Sequence, residues 1–268
     1  MGADSTEPGD VTENANMLLS KSYHGKVWND RWILNCENEY YDSSNDNISY
    51  YDYLKQTDKD HYKKRSFSFT HTGMPGESLA PHVHVIAKGF ASLLFPSFVK
   101  LVRQHNDDDN VTVVFRTFGI DGEDVLNCLY KQHGFDKFSP DNVVRGTFKH
   151  SGDSTSLELS VDNSTVTLSD FKPEQLTELV EQYAPRHFLI REDYDYWNNN
   201  RRDAKYGKVM CGDDRTIQIF FDDNDCVYTT NPETRFAHFV KVNSLFALQD
   251  EDFFINIVST RSVLGSMR

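Results

Sequence analysis

Two adjoining segments constrain the fold most: VTVVFRTFG at 111–119 and DGEDVLNCLYKQHG at 121–134. The first is an apolar, β-branched run. A half-exposed strand would alternate, so an unbroken run of this kind predicts a central strand. The second has acids in its first turn and a stop signal at Gly134, so a helix follows directly on the strand. The alternation recurs. AKGFASLLFPSFVKLVRQH (87–105) has helical spacing, with Pro96 starting or kinking it, and KPEQLTELVEQYAPR (172–186) is a helix with Pro173 near its start. HFLIRED and TIQIFFDDN supply further strands, and HFVKVNSLFALQDEDFFINIVSTRSVL reads as strand, loop and helix. Strands alternating with helices predict an α/β fold with a mostly parallel, Rossmann-like sheet flanked by helices. Residues 143–168 break the pattern; they alternate between turn signals at SGDS and DNS and predict an inserted antiparallel β element of hairpins.

Around this frame the polar residues 1–20 read as a disordered tail, and 21–268 as one domain. GKVWNDRWILN (25–35) is the first buried element, ending in a strand. An irregular insertion spans 37–86, dense in Tyr, Asp and Asn, with SFSFTHTG (66–73) alternating like a strand. With 268 residues, 38% apolar and 13% aromatic, the chain can fill a sizeable core. A net charge of −13 argues against a nucleic-acid partner, and HYKKR at 61–65 is too short to reverse that. Cys36, Cys128, Cys211 and Cys226 lie far apart with no CxxC pair, the pattern of reduced thiols in a cytoplasmic protein. No apolar stretch is long enough to span a bilayer. The opening MGADST matches a myristoylation pattern at Gly2, but no basic cluster follows it, and a lipid anchor is not expected.

In an open parallel sheet, ligands bind outside the carboxyl ends of the strands. Three polar strand ends qualify: Asn35 to Glu39, Thr117, and Asp222 to Asp225. Thr117 stands before a helix N-terminus, where a hydroxyl can hold an oxyanion. Asp222 and Asp223 follow a buried strand and suit Mg²⁺, which prefers hard oxygen ligands. Their alternative is a polar turn that caps the strand, since Asp and Asn favour turns. Lys208 precedes the acidic strand and can balance phosphate charge, or is one more surface lysine. Arg116, next to Thr117, should face the opposite side of the sheet. In APHVHV, His82 and His84 would share a face of a strand, with His71 as a third imidazole for zinc or iron. REDYDYWNNNRR (191–202) reads as a helix with packed aromatics, or as a pocket wall.

The order of a strand with Thr, a later Lys and a strand ending in DD resembles the haloacid dehalogenase-like phosphohydrolases. More narrowly, VVFRTFG, REDYDYW with GKV, IFFDDN and DEDFFINIV look like a poorly characterised group of eukaryotic, largely protist proteins, over roughly residues 90–262. The resemblance implies that Thr117 holds the phosphoryl group and that Lys208 stabilises its charge. Asp222 and Asp223 would then hold Mg²⁺ directly or through water, with Glu37 as a further ligand. The first family motif, DxDxT or DxDxV, is degenerate here. ILNCENEYY puts Asn35 at the nucleophile position, Glu37 at the acid/base position and Glu39 where Thr or Val is usual. A carboxamide attacks phosphorus far less readily than a carboxylate.

These residues lead to the expectation of a haloacid dehalogenase-like protein related to Mg²⁺-dependent phosphohydrolases, impaired in catalysis, acting on a phosphorylated small molecule. The alternative is a non-catalytic module that uses the same crevice for a ligand or a protein partner. A His-rich metal-binding protein is the third reading.

Overall fold

The computed structural model describes residues 11–34, 47–90, 94–152, 154–162, 164–172, 175–210, 216–222, 226–230 and 237–266. The chain divides into two compact units, 1–96 with 243–251, and 97–242 with 252–268, where one domain was expected.

The first unit holds α1 (Val11–Ser22), β1 (His24–Trp28), β2 (Arg31–Leu34), β3 (Ile48–Ser49), α2 (Tyr50–Thr57), α3 (Tyr62–Ser66) and α4 (Ala80–Phe90). A helix from later in the chain, α9 in chain order (Ser244–Gln249), joins it. The strands form an antiparallel sheet in the order β2-β1-β3. Asn29 and Asp30 turn the β1–β2 hairpin with φ of 49° and 58°, left-handed values that these two residue types tolerate best after glycine.

Four expectations fail in this unit. Residues 11–20 lie in α1 and are not a tail: Ala15 and Leu19, one helical turn apart, are fully buried. Asn16, also buried, accepts hydrogen bonds from the backbone N–H and the hydroxyl of Thr70 at 2.9 and 2.7 Å. The described part of the 37–86 stretch is no excursion, because Tyr50, Leu54, Phe69 and Leu79 make up much of the core. Its period is hard to read because the packing residues are aromatic: Trp32, Tyr50 and Phe69 meet at centroid distances of 5.0–5.8 Å. Finally, SFSFTHTG forms turns rather than a strand, and APHVHV is the start of α4.

The second unit carries α5 (Pro96–His105), β4 (Val114–Thr117), α6 (Gly122–Asn127), β5 (Val143–Ser151), β6 (Ser154–Val161), β7 (Ser164–Leu168) and α7 (Leu176–Tyr183). There follow β8 (His187–Arg191), α8 (Tyr194–Asn199), β9 (Lys208–Met210), β10 (Gln218–Asp222), β11 (Val227–Thr229), β12 (Ala237–Lys241) and α10 (Phe253–Ser266). This is a mixed α/β unit. Its five-stranded sheet runs β4-β8-β5-β6-β7; β4, β8 and β5 are parallel, and β6 and β7 return antiparallel. The hairpins of 143–168 are therefore continuous with the sheet. The first residues of β5 pair with β8 while the strand pairs along most of its length with β6. Two further parallel pairs, β10 with β12 and β9 with β11, complete the unit's strands.

The period-2 alternation of β8 divides the core. Phe188 and Ile190 join Val144, Phe148, Leu176 and Leu179 on the side covered by α7. The opposite side carries Phe115, edge-on to Phe98 of α5, and His187, stacked on Phe138 at 4.3 Å. Pro96 opens α5, where its missing N–H costs nothing.

Candidate functional site

Parallel pairing aligns Thr117, the last residue of β4, with Arg191, the last of β8. The Thr117 carbonyl then accepts the N–H of Glu192 at 2.8 Å, extending the ladder by one residue. The Thr117 hydroxyl accepts the Gly119 N–H at 2.9 Å and donates to Asp121 at 3.2 Å, folding the chain back toward α6. Thr117 thus already works as a turn residue, with its hydroxyl at the strand's carboxyl end.

Asp222 ends β10 and is buried; its carbonyl accepts the N–H of Val242 at 2.7 Å, just beyond β12. Its carboxylate meets the ammonium of Lys208 at 2.7 Å, with side-chain exposures of 10% for Lys208 and 5% for Asp222. Lys208 starts β9 and is held there by its own N–H, which donates to the Cys226 carbonyl at 2.8 Å. The approach is close enough to require Gly207 before it, because a Cβ at that position would fall 2.2 Å from the Cys226 carbonyl oxygen. Burial pushes the Cys226 thiol up to about 11, with Asp222 adding to the effect and Lys208 opposing it. The Lys208 ammonium also lies 5.4 Å from the centre of the Phe118 ring, and Phe118 directly follows Thr117. Three residues distant in sequence, Thr117, Lys208 and Asp222, are joined through that ring and the ion pair.

Beneath them lies a second buried pair. Arg116 meets Glu192 at 2.5 Å, both side chains 5% exposed. Its Nη1 donates to the Val209 carbonyl at 2.5 Å, and its guanidinium stands 5.5 Å from the Phe220 ring centre. Arg116 faces away from Thr117, as alternation requires, and its partner is Glu192 rather than the acids of β10. One side chain thereby ties β4 to the end of β8, to β9 and to β10.

The segment after β8 packs over the loop after β4. Trp197 of α8 stacks on Phe118 at 4.7 Å and 12°, and Tyr194 meets both rings edge-on at 6.1 Å. α8 is fixed by its N-cap, Asp193, which accepts the Tyr196 N–H and, from β5, the His150 N–H, each at 3.0 Å. Partial burial pushes the Asp193 carboxyl up, but these donors and the His150 ring outweigh it and hold it below the usual carboxylate range.

Of the expected site residues, Asn35, Glu37, Glu39 and Asp223 lie outside the described residues. β2, which ends at Leu34, belongs to the antiparallel sheet of the first unit. For Mg²⁺, the described residues supply one of the three expected ligands, Asp222, and its carboxylate is engaged by an ammonium. No described group of three or more His, Cys, Asp or Glu residues could hold a metal. The His82–His84 pair loses its geometric basis, because residues two apart on a helix do not share a face. Among the described residues no helix is long and apolar enough to cross a membrane.

Glu192, Phe118 and Trp197 were not singled out from the sequence as site residues. Glu192 had a readable signal, since it directly follows the apolar strand run HFLIR and so stands at a strand's carboxyl end. No protein-family model, curated protein or solved structure matches the chain.

Proposed function

We propose that this chain is a haloacid dehalogenase-like protein related to Mg²⁺-dependent phosphohydrolases, one that binds a phosphorylated small molecule without efficient turnover. The observation that carries the reading is the meeting of Lys208 with Asp222 at 2.7 Å, in contact with the loop after Thr117. The resemblance asks for this Lys and this Asp in one place, and 14 residues separate them in the chain. The parallel β4-β8-β5 core, with its polar groups at the carboxyl ends, supports a Rossmann-like arrangement. Thr117 and Lys208 would hold the phosphate, and Asp222 with Asp223 would hold Mg²⁺, which would screen the phosphate charge. The resemblance assigns Asn35 to the nucleophile position, and a carboxamide there would lack the anionic attack that turnover requires. The two described cysteines are free and buried, in keeping with a cytoplasmic setting.

A phosphatase assay with a generic aryl phosphate and Mg²⁺ tests the reading on wild type, Asn35→Asp and Asp222→Ala. Wild type should stay near background, and Asn35→Asp should gain Mg²⁺-dependent hydrolysis. Robust wild-type turnover that survives Asp222→Ala would overturn both the metal assignment and the impaired nucleophile.

A further inference from the structure

The strand-end site has an aromatic lip that phosphate binding alone does not use. Beside Lys208, the rings of Phe118 and Trp197 are stacked, and Tyr194 stands edge-on to both with 42% of its surface exposed. Ile120, three residues past Thr117, is 82% exposed on the same loop. Tyr194 is held in place: Arg202 Nη2 donates to its hydroxyl at 3.2 Å, and Arg202 Nε donates to Asn198 at 3.0 Å. The same guanidinium lies 5.7 Å from the Trp197 ring centre. Arg202 reaches back this way because Arg201 and Arg202 both adopt left-handed backbone, with φ of 61° and 59°. Bulky residues rarely take up such strain, and where they do it tends to gather at ligand sites. The indole N–H of Trp197 is buried and has no hydrogen-bond partner among the described residues.

A flat aromatic ring fits the lip, because its face can lie on the exposed Tyr194 ring. We propose that the ligand is a nucleotide, its phosphate at Thr117 and Lys208 and its base against Tyr194 at the α8 lip. The assignment rests on the phosphate reading above for one half of the ligand only; the base half stands on the lip itself.

Isothermal titration of the full chain with adenosine monophosphate, ribose 5-phosphate, adenosine and inorganic phosphate separates the two halves. Adenosine monophosphate should bind at least about tenfold tighter than ribose 5-phosphate, the scale of one base stacked on an aromatic ring. Tyr194→Ala should erase that advantage, and Tyr194→Phe, which keeps the ring, should retain it. Equal affinities for adenosine monophosphate and ribose 5-phosphate overturn the proposal, as does an equal loss of both in Tyr194→Ala. If adenosine binds through Tyr194 while ribose 5-phosphate and inorganic phosphate stay silent, the base site stands and the phosphate reading falls. Silence of adenosine and adenosine monophosphate together removes the base site.

Discussion

Two buried ion pairs lie in the same unit, and they differ in how many groups hold the cation in place. Arg116 is held by three groups, Glu192, the Val209 carbonyl and the face of Phe220. Lys208 has three donors to place and is met by the Asp222 carboxylate and the Phe118 ring. A guanidinium fixed in that way is structural, since moving it would strand a carboxylate, a carbonyl and a ring at once. An ammonium held by one carboxylate and one ring can turn toward an incoming anion. The contrast separates the frame of the site from its working part.

The largest effect should come from the frame. Arg116→Ala leaves Glu192 buried without its counter-charge and should cost about 3–5 kcal/mol of stability, read from urea unfolding. A loss below about 1 kcal/mol would deny the pair its structural role.

Next is a buried group with no counter-ion to compare against both pairs. Burial, with Lys137 adding to it, lowers the His187 imidazole to about 4 from an ordinary 6.5. Above the ordinary value both folded and unfolded chains hold it neutral, so stability is level there. As pH falls below that value the unfolded chain takes up a proton that the folded chain refuses. Stability should therefore decline by about 3 kcal/mol between pH 6.5 and about 4, then level. His187→Gln should flatten that part of the pH profile; an unchanged slope would place its source elsewhere.

Replacing both members of each pair sharpens the contrast further. Lys208→Met with Asp222→Leu should fold to within about 1 kcal/mol of wild type, because a buried pair exchanged for apolar groups of similar size is often neutral. Arg116→Met with Glu192→Leu should not recover, because the Val209 carbonyl also loses its donor. Equal recovery in both double variants would erase the distinction.

The smallest effect lies at the end of α8. Arg201 occupies the position after the helix where glycine is preferred, in left-handed backbone. Arg201→Gly should stabilise the fold by about 0.5–1 kcal/mol in the same unfolding measurement, and a destabilisation would show that the arginine side chain offsets its strain.

The strand ends of the second unit were legible because unbroken apolar runs and acid-led helices each have a distinct pattern. Thr117 and Asp222 end β4 and β10, where those patterns put them, whereas the short strand that Lys208 begins was not read from the sequence. The meeting of Arg116 with Glu192, 76 residues apart, was not legible, because strand order decides it and no local pattern encodes strand order. The first unit was largely opaque for a different reason. Its core is built from Trp32, Tyr50 and Phe69, whose spacing matches neither the helical nor the strand period. In α4, β-branched Val83 and Val85 between histidines imitated strand alternation, while burial of Leu79 and Ile86 favours the helix.

The most direct test of the account is inorganic phosphate binding, measured by titration calorimetry with Mg²⁺ present, for wild type and the Lys208→Met, Asp222→Leu double variant. Wild type should bind, and the double variant, still folded by its urea transition, should weaken at least about tenfold, as expected when a charge-assisted contact is lost. Undiminished binding in a folded double variant would contradict it.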